Sequence, residues 1–168
     1  MSTADHRGPD QQIDQEMASA LQELRTRLVG ELIEPQDPLY DEARAVWNGM
    51  IDLRPRAVVR AGAVTDIDPV LEAARHTGMP LAVRGGGHSI AGHGTAADGL
   101  VLDLGPLNGV DVDAANQLVT VGPGATLADV DRATAGHGLA VPLGVIIQTG
   151  VAGLTLGGGV GWLTAPTG

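Results

Sequence analysis

The chain has 168 residues, a formal net charge of −10, 43% apolar residues, 2% aromatic residues and no cysteine. That length supports one domain with a core of Val, Leu, Ile and Ala, while the missing cysteine excludes disulfides, cysteine-ligated zinc and thiol catalysis. All ten basic residues are arginine, so lysine-dependent phosphate loops and Schiff-base chemistry are excluded as well, and with no basic patch neither nucleic acid nor an anionic membrane surface is an expected partner.

Residues 1 to about 13 are mostly polar, with no apolar run of the signal-peptide kind, and read as a disordered lead of a cytoplasmic protein. Met17, Leu21, Leu24 and Leu28 then recur at helical spacing as one apolar face, which Gly30 should end. Pro35 and Pro38 make a bend, and Asp41 to Asn48 form a short second helix. These expectations divide the chain into a lead and helix over 1–39 and a main domain over 40–168.

Ala57 to Arg60 reads as a strand. Thr65 with Asp68 three residues later resembles a capping box, followed by a helix with Ile67, Val70, Leu71 and Ala74 on its buried stripe and Gly78 at its C-terminal cap. Leu81 to Val83 is short, apolar and partly β-branched, and reads as a buried strand. Strand, helix and strand make a βαβ unit with parallel strands, so the fold class is α/β (α+β). Leu100–Leu104, Gly109–Val112 and Gln117–Val121 read as three further strands. Thr126 with Asp129 caps a short helix over Leu127, Val130 and Ala133/Thr134 that runs to Gly136. Val141 to Leu163 is uncharged and apolar, but its glycines and Pro142 argue against a membrane helix.

Chemistry concentrates after the strand Leu81–Val83, in Arg84-Gly-Gly-Gly-His-Ser89. Three consecutive glycines cost chain entropy and suit a backbone that must approach a ligand closely or adopt positive φ. Their N–H groups form a donor array suited to phosphate oxygens, and ligands of parallel sheets collect beyond the carboxyl ends of the strands, where this loop lies. The G-x-G-x-x-G fingerprint of a nicotinamide-dinucleotide site is missing, because Ser89-Ile-Ala-Gly-His-Gly94 is too glycine-broken to open a helix. His88 and His93 stand five residues apart, which is no recognised metal-ligand spacing, and no metal is expected.

Arg84–Ser89 resembles the flavin-attachment loop of the FAD-linked oxidases of the vanillyl-alcohol-oxidase/PCMH superfamily, in its berberine-bridge-enzyme-like branch. Thr149-Gly-Val-Ala-Gly-Leu-Thr-Leu-Gly-Gly-Gly-Val-Gly-Trp162 is similar to that branch's second glycine-rich FAD-binding stretch, and Val121-Gly-Pro-Gly-Ala125 and His137-Gly-Leu-Ala-Val-Pro142 follow in the same order. The resemblance implies a PCMH-type FAD-binding domain, made of an N-terminal βαβ subdomain and the start of a second subdomain. The cofactor it implies is FAD, held by Arg84, Gly85, Gly86, Gly87, His88, Ser89, Gly92, Gly144, Thr149, Gly150, Gly153, Thr155, Gly158 and Gly159. By the same resemblance His88 bonds covalently to the 8α carbon of the flavin, which then accepts a hydride at N5 from a small-molecule substrate. Where some relatives attach the flavin a second time through a cysteine, this chain has Ile146.

The resemblance also implies departures. The family's substrate domain and its tyrosine-containing motif have no counterpart here, and Tyr40, the only tyrosine, stands before the first expected strand. No catalytic residue is therefore assigned. Asp103, Asp111 and Asp113 read as strand-end caps, His93 and His137 as structural or peripheral, and His6 and His76 as solvated. A substrate is expected only if further sequence or another chain completes the site, and uncovered apolar surface makes self-association possible. The alternatives are a truncated non-catalytic flavin-binding module or partner subunit, and a structural remnant that binds nothing.

Overall fold

The structure is a computed structural model that describes residues 9–164, with side chains from Ile13 onward. Helix α1 covers Pro9–Arg27, so the expected lead to residue 13 is shorter. Proline at the first helical position lacks only an N–H that would be unpaired there anyway. Residues 1–8, His6 among them, lie outside the described residues.

A three-residue strand, β1 (Glu31–Ile33), follows α1 and was not expected from the sequence. Next come helix α2 (Tyr40–Arg44), β2 (Ala57–Arg60), helix α3 (Ile67–Thr77), β3 (Leu81–Arg84) and β4 (Leu100–Asp103). The four strands form one sheet in the order β1-β2-β4-β3, with β1 antiparallel to β2 and the other pairs parallel. The βαβ strands β2 and β3 are thus parallel as expected, but β4 lies between them. That places β3 at the edge, where Val83 is 53% exposed, so this strand is only partly buried.

Alternation along the central strands feeds two cores. Ala57, Val59, Leu100 and Leu102 face α1 and α3, packing with Leu21, Leu24, Leu32, Val70 and Ala74. Val58, Ala82 and Val101 face the other way, toward Ala43 of α2 and Ala96. Residues before Tyr40 therefore share the first core with the sheet, through Leu21, Leu24 and Leu32.

The start of α3 differs from the expected cap. Thr65 lies exposed on a 3-10 turn over Val64–Asp66, and the buried Asp66 carboxylate gathers the chain instead. It accepts N–H bonds from Val29 (2.8 Å), Gly30 (2.9 Å), Gly62 (2.8 Å) and Ala63 (3.2 Å). Burial alone would raise its pKa, but the donors of Val29, Gly62, Gly30 and Ala63 outweigh burial and hold it below the ordinary value. Asp66 thereby ties the end of α1 to the turn between β2 and α3.

A second unit follows, built from the antiparallel hairpin β5 (Val110–Asp113) and β6 (Leu118–Val121), helix α4 (Leu127–Ala135) and helix α5 (Val151–Gly157). Its smaller core contains Ala125, Leu127, Val130 and Val151. The expected cap of α4 forms, with the Asp129 carboxylate accepting from the Thr126 N–H (2.9 Å) and hydroxyl (2.7 Å).

Asp66→Asn should lower stability by about 2–3 kcal/mol, because two of the four donors lose an ionised acceptor; urea unfolding at pH 7 measures this. The folded pKa is depressed, so the ionised carboxylate's contribution is complete above the unfolded-chain value near ~3.9 and is lost as pH falls through the lower folded value. The gap between wild type and variant should therefore close toward pH 3.

Candidate cofactor site

Arg84 ends β3 on the face that looks toward α2. Its guanidinium donates to the carbonyls of Ala43 (2.5 Å) and Ala45 (3.1 Å) and pairs with Asp103 at 2.9 Å. Those carbonyls would otherwise belong to a continuing helix, which accounts for α2 stopping at Arg44 rather than Asn48. The donors of Arg84 are thus engaged inside the protein, and its aliphatic stem lies under the glycine loop, 3.5 Å from where a Cβ on Gly87 would stand. Asp103 also accepts from the Gly105 N–H (2.9 Å), and Asp113 accepts from Asn116, as strand-end caps do.

Beyond Arg84 the chain turns at Gly87, whose φ of 68° is in the region that favours glycine. The N–H groups of Gly85, Gly86 and Gly87 have no hydrogen-bond partner among the described residues. His88 is half-buried, with its Nδ1 2.9 Å from the Gly86 carbonyl oxygen and its ring stacked on Trp47 at 5.5 Å and 22°. Ser89 turns inward on its own loop, its hydroxyl accepting the His93 N–H at 3.2 Å. Gly92, φ 79°, packs beneath Ile51, 2.9 Å from where its Cβ would be.

The second glycine stretch reaches the first through residues 125–128. Leu127 N–H donates to Thr149 O (3.0 Å), Val151 N–H to Ala125 O (2.9 Å), and Thr126 bridges Gly150. This brings Gly150 against Gly86 so closely that a Cβ on Gly86 would stand 2.4 Å from the Gly150 nitrogen, and the reverse substitution would stand 2.4 Å from the Gly86 nitrogen. Helix α5 starts immediately after this contact, a feature its glycines concealed in the sequence.

Two clefts open beside the junction. The smaller, about 350 Å³, is lined by Gly85–Gly87, Trp47, Arg60, Asp103, Gly124 and Thr126. The larger, about 680 Å³, is mainly apolar and includes Gly144, Thr155, Gly158 and Gly159, with Leu154 and Val151. Of the sequence-assigned residues, Gly85–His88 and Thr149–Gly150 thus meet at the junction, Gly144, Thr155, Gly158 and Gly159 line the larger cleft, and Gly153 faces open space on α5. The structure adds residues that the sequence reading passed over. Arg60 lines the smaller cleft with no carboxylate partner among the described residues, Gly124 packs its backbone against Leu104 O, and Trp47 stacks on His88. Among the described residues no group of His, Asp and Glu side chains could hold a metal ion, and no helix is long and apolar enough to cross a membrane.

Three unpartnered backbone donors, one uncommitted arginine and glycine backbones that a Cβ would displace fit an anionic, closely approached ligand of the dinucleotide kind. The fold and site define a flavin-binding α/β domain. Residues 55–168 match the family model described as "FAD binding domain", and the chain belongs to that family, with FAD as its cofactor. It is 35% identical over 135 residues to (R)-6-hydroxynicotine oxidase of Paenarthrobacter nicotinovorans, covering 80% of this chain and 30% of that protein. An uncharacterized FAD-linked oxidoreductase of Bacillus subtilis, YgaK, is 35% identical over 144 residues, covering 86% of this chain and 32% of its own length. Among solved structures, 6-hydroxy-D-nicotine oxidase of Arthrobacter nicotinovorans superposes with a TM-score of 0.80 at 34% identity, over 82% of this chain and 30% of that one. BBE-like 1 of Physcomitrella patens superposes with a TM-score of 0.79 at 28% identity, over 84% and 31%. The chain therefore spans about a third of the length of the relatives it matches.

Gly86→Ala and Gly150→Ala should each cost about 2–4 kcal/mol, since backbone on both sides blocks the new methyl and overpacking adds strain. Gly153→Ala, with no heavy atom within 4 Å of the added Cβ, should be neutral or stabilise α5 by about 0.5–1 kcal/mol. Thermal unfolding of the three variants without FAD makes the comparison.

Proposed function

We propose that this chain is the flavin-holding part of an FAD-linked oxidoreductase, with FAD attached covalently through His88. The observation that carries this reading is the row of unpartnered N–H groups at Gly85–Gly87, next to a half-buried imidazole at the carboxyl end of a parallel sheet. Gly85, Gly86 and Gly87 donate to phosphate oxygens, and Arg60 supplies the positive charge that the rest of this acidic chain withholds. The close packing of Gly86 on Gly150 keeps the two glycine stretches in one rigid frame. His88 holds an imidazole whose Nδ1 bonds the Gly86 carbonyl; a carbonyl can only accept, so Nδ1 carries the proton and Nε2 the lone pair. Bound FAD would supply hydride-accepting chemistry at its N5 atom, with a small-molecule substrate as donor.

A second reading, a flavin-binding module completed by another polypeptide, is supported by the rim of the larger cleft. Leu156, Val160 and Trp162 are 90%, 78% and 87% exposed there, and apolar surface of that kind marks an interaction face. On this reading the substrate and its proton acceptor are placed by that second polypeptide, because Tyr40 is buried against Pro55 and Asp103 is paired with Arg84.

Purified protein incubated with FAD should be yellow, and the colour should stay with the acid-precipitated pellet. His88→Ala should lose the acid-stable flavin and keep dissociable FAD, because the glycine donors remain. Colourless wild-type protein would leave the structural-remnant reading, and acid-stable flavin in the variant would move the attachment to another residue. Under anaerobic conditions the flavin-loaded chain alone should not be bleached by alcohols, sugars or hydroxy acids; rapid bleaching by one of them would show that it carries its own catalytic base.

A further inference from the structure

The stretch Trp47–Ile51 runs along the His88 loop and touches it three times. Trp47 N–H donates to Gly87 O (3.1 Å), the Asn48 side-chain amide donates to Ile90 O (2.9 Å), and Ile51 fills the space beside Gly92. The Trp47 indole is 64% exposed. It is not a core residue, and among the described residues its ring partner is the His88 imidazole, at 5.5 Å and 22°.

Two restraints therefore act on one ring. The Gly86 carbonyl lies 2.9 Å from Nδ1 and selects which edge of the imidazole faces it and which nitrogen carries the proton. A single in-plane hydrogen bond leaves the ring free to rock about χ2, because that torsion has broad wells in histidine. A nearly parallel indole opposes this rotation, since tilting the imidazole costs the stacking contact.

We propose that Trp47 is a positioning residue for His88, its indole fixing the plane in which the Gly86 carbonyl holds the imidazole as the Nδ1–H form with Nε2 bearing the lone pair. The role assigned to that lone pair rests on the reading of His88 as the flavin-attachment residue; the positioning itself does not. Trp47→Leu keeps apolar bulk and removes the ring, while Trp47→Phe restores a stacking face. Because the indole is largely exposed, and the Trp47 N–H bond to Gly87 belongs to the backbone, both variants keep the fold, which thermal unfolding verifies.

The test uses protein labelled with nitrogen-15 histidine and free of FAD, at a pH above the imidazole titration, with the His88 signal assigned by its loss in His88→Ala. Wild type and Trp47→Phe should show the Nδ1–H tautomer, and Trp47→Leu a mixture enriched in the Nε2–H form that unrestrained imidazoles prefer. An Nε2–H tautomer in wild type, or an unchanged signal in Trp47→Leu, would overturn the proposal. A second readout is the rate at which acid-stable flavin forms after FAD is added. That rate should fall about tenfold or more in Trp47→Leu, as misplacing a reacting group by ~1 Å costs up to ~100-fold, and should recover in Trp47→Phe. In the His88→Ala background, Trp47→Leu should leave the affinity for dissociable FAD unchanged; an equal loss of affinity would make Trp47 a wall of the cofactor site and overturn the positioning role. Should wild type take up no acid-stable flavin, the attachment reading fails while the tautomer measurement still decides the role of Trp47.

Discussion

Gly86 and Gly150 approach so closely that neither position has room for a single methyl group beside the other's backbone. Everything the site does depends on that contact. Gly86 belongs to the loop after the parallel sheet, Gly150 to the segment that opens α5, and 63 residues of chain would otherwise let the two stretches drift apart. The zipper of residues 125–128 against 147–151 presses them together, and the Thr126–Asp129 cap fixes the start of α4 beside it. With the backbones in contact, the donors of Gly85–Gly87 and the walls of both clefts become parts of one frame.

Electrostatics shapes the same region in an unusual direction. A chain with a net charge of −10 holds an anionic cofactor, so the attraction must be local. Seven of its arginines, including Arg84, are paired with carboxylates among the described residues. Arg84 is spent on architecture: it stops α2, pairs Asp103 and supports Gly87 from below. Backbone N–H groups, which carry no net charge and cost no counter-ion, are left as the main donors, with Arg60 as the free cation lining the cleft. Mutating Arg84 would therefore be felt as lost packing around α2 as well as any change in cofactor binding.

The fold class, the parallel βαβ strands, both glycine stretches, the α4 cap and the identity of the cofactor were legible in the sequence, because each rests on local residue chemistry. Strand β1 was not, since Glu31-Leu-Ile33 is too short to show a period and is made a strand by the edge of β2. The position of β4 between β2 and β3 is a long-range pairing that no local pattern encodes. Asp66 was passed over in favour of Thr65 and Asp68, although Gly30 and Gly62, the close-packed backbones around it, were a signal that a buried acceptor might gather their N–H groups. Helix α5 contradicts the propensity of Gly153 and Gly157 and is imposed by the contact that precedes it. Trp47 escaped notice because its partner lies 41 residues away and only the folded loop brings the rings together.

Hydrogen–deuterium exchange with and without FAD tests the cradle most directly, because it reads the backbone N–H groups themselves. The account predicts that FAD slows exchange at Gly85–His88 and around Thr149–Gly150 while leaving α1 and α3 unchanged. Binding of FAD with unaltered exchange at Gly85–His88, or protection confined to other parts of the chain, would contradict it.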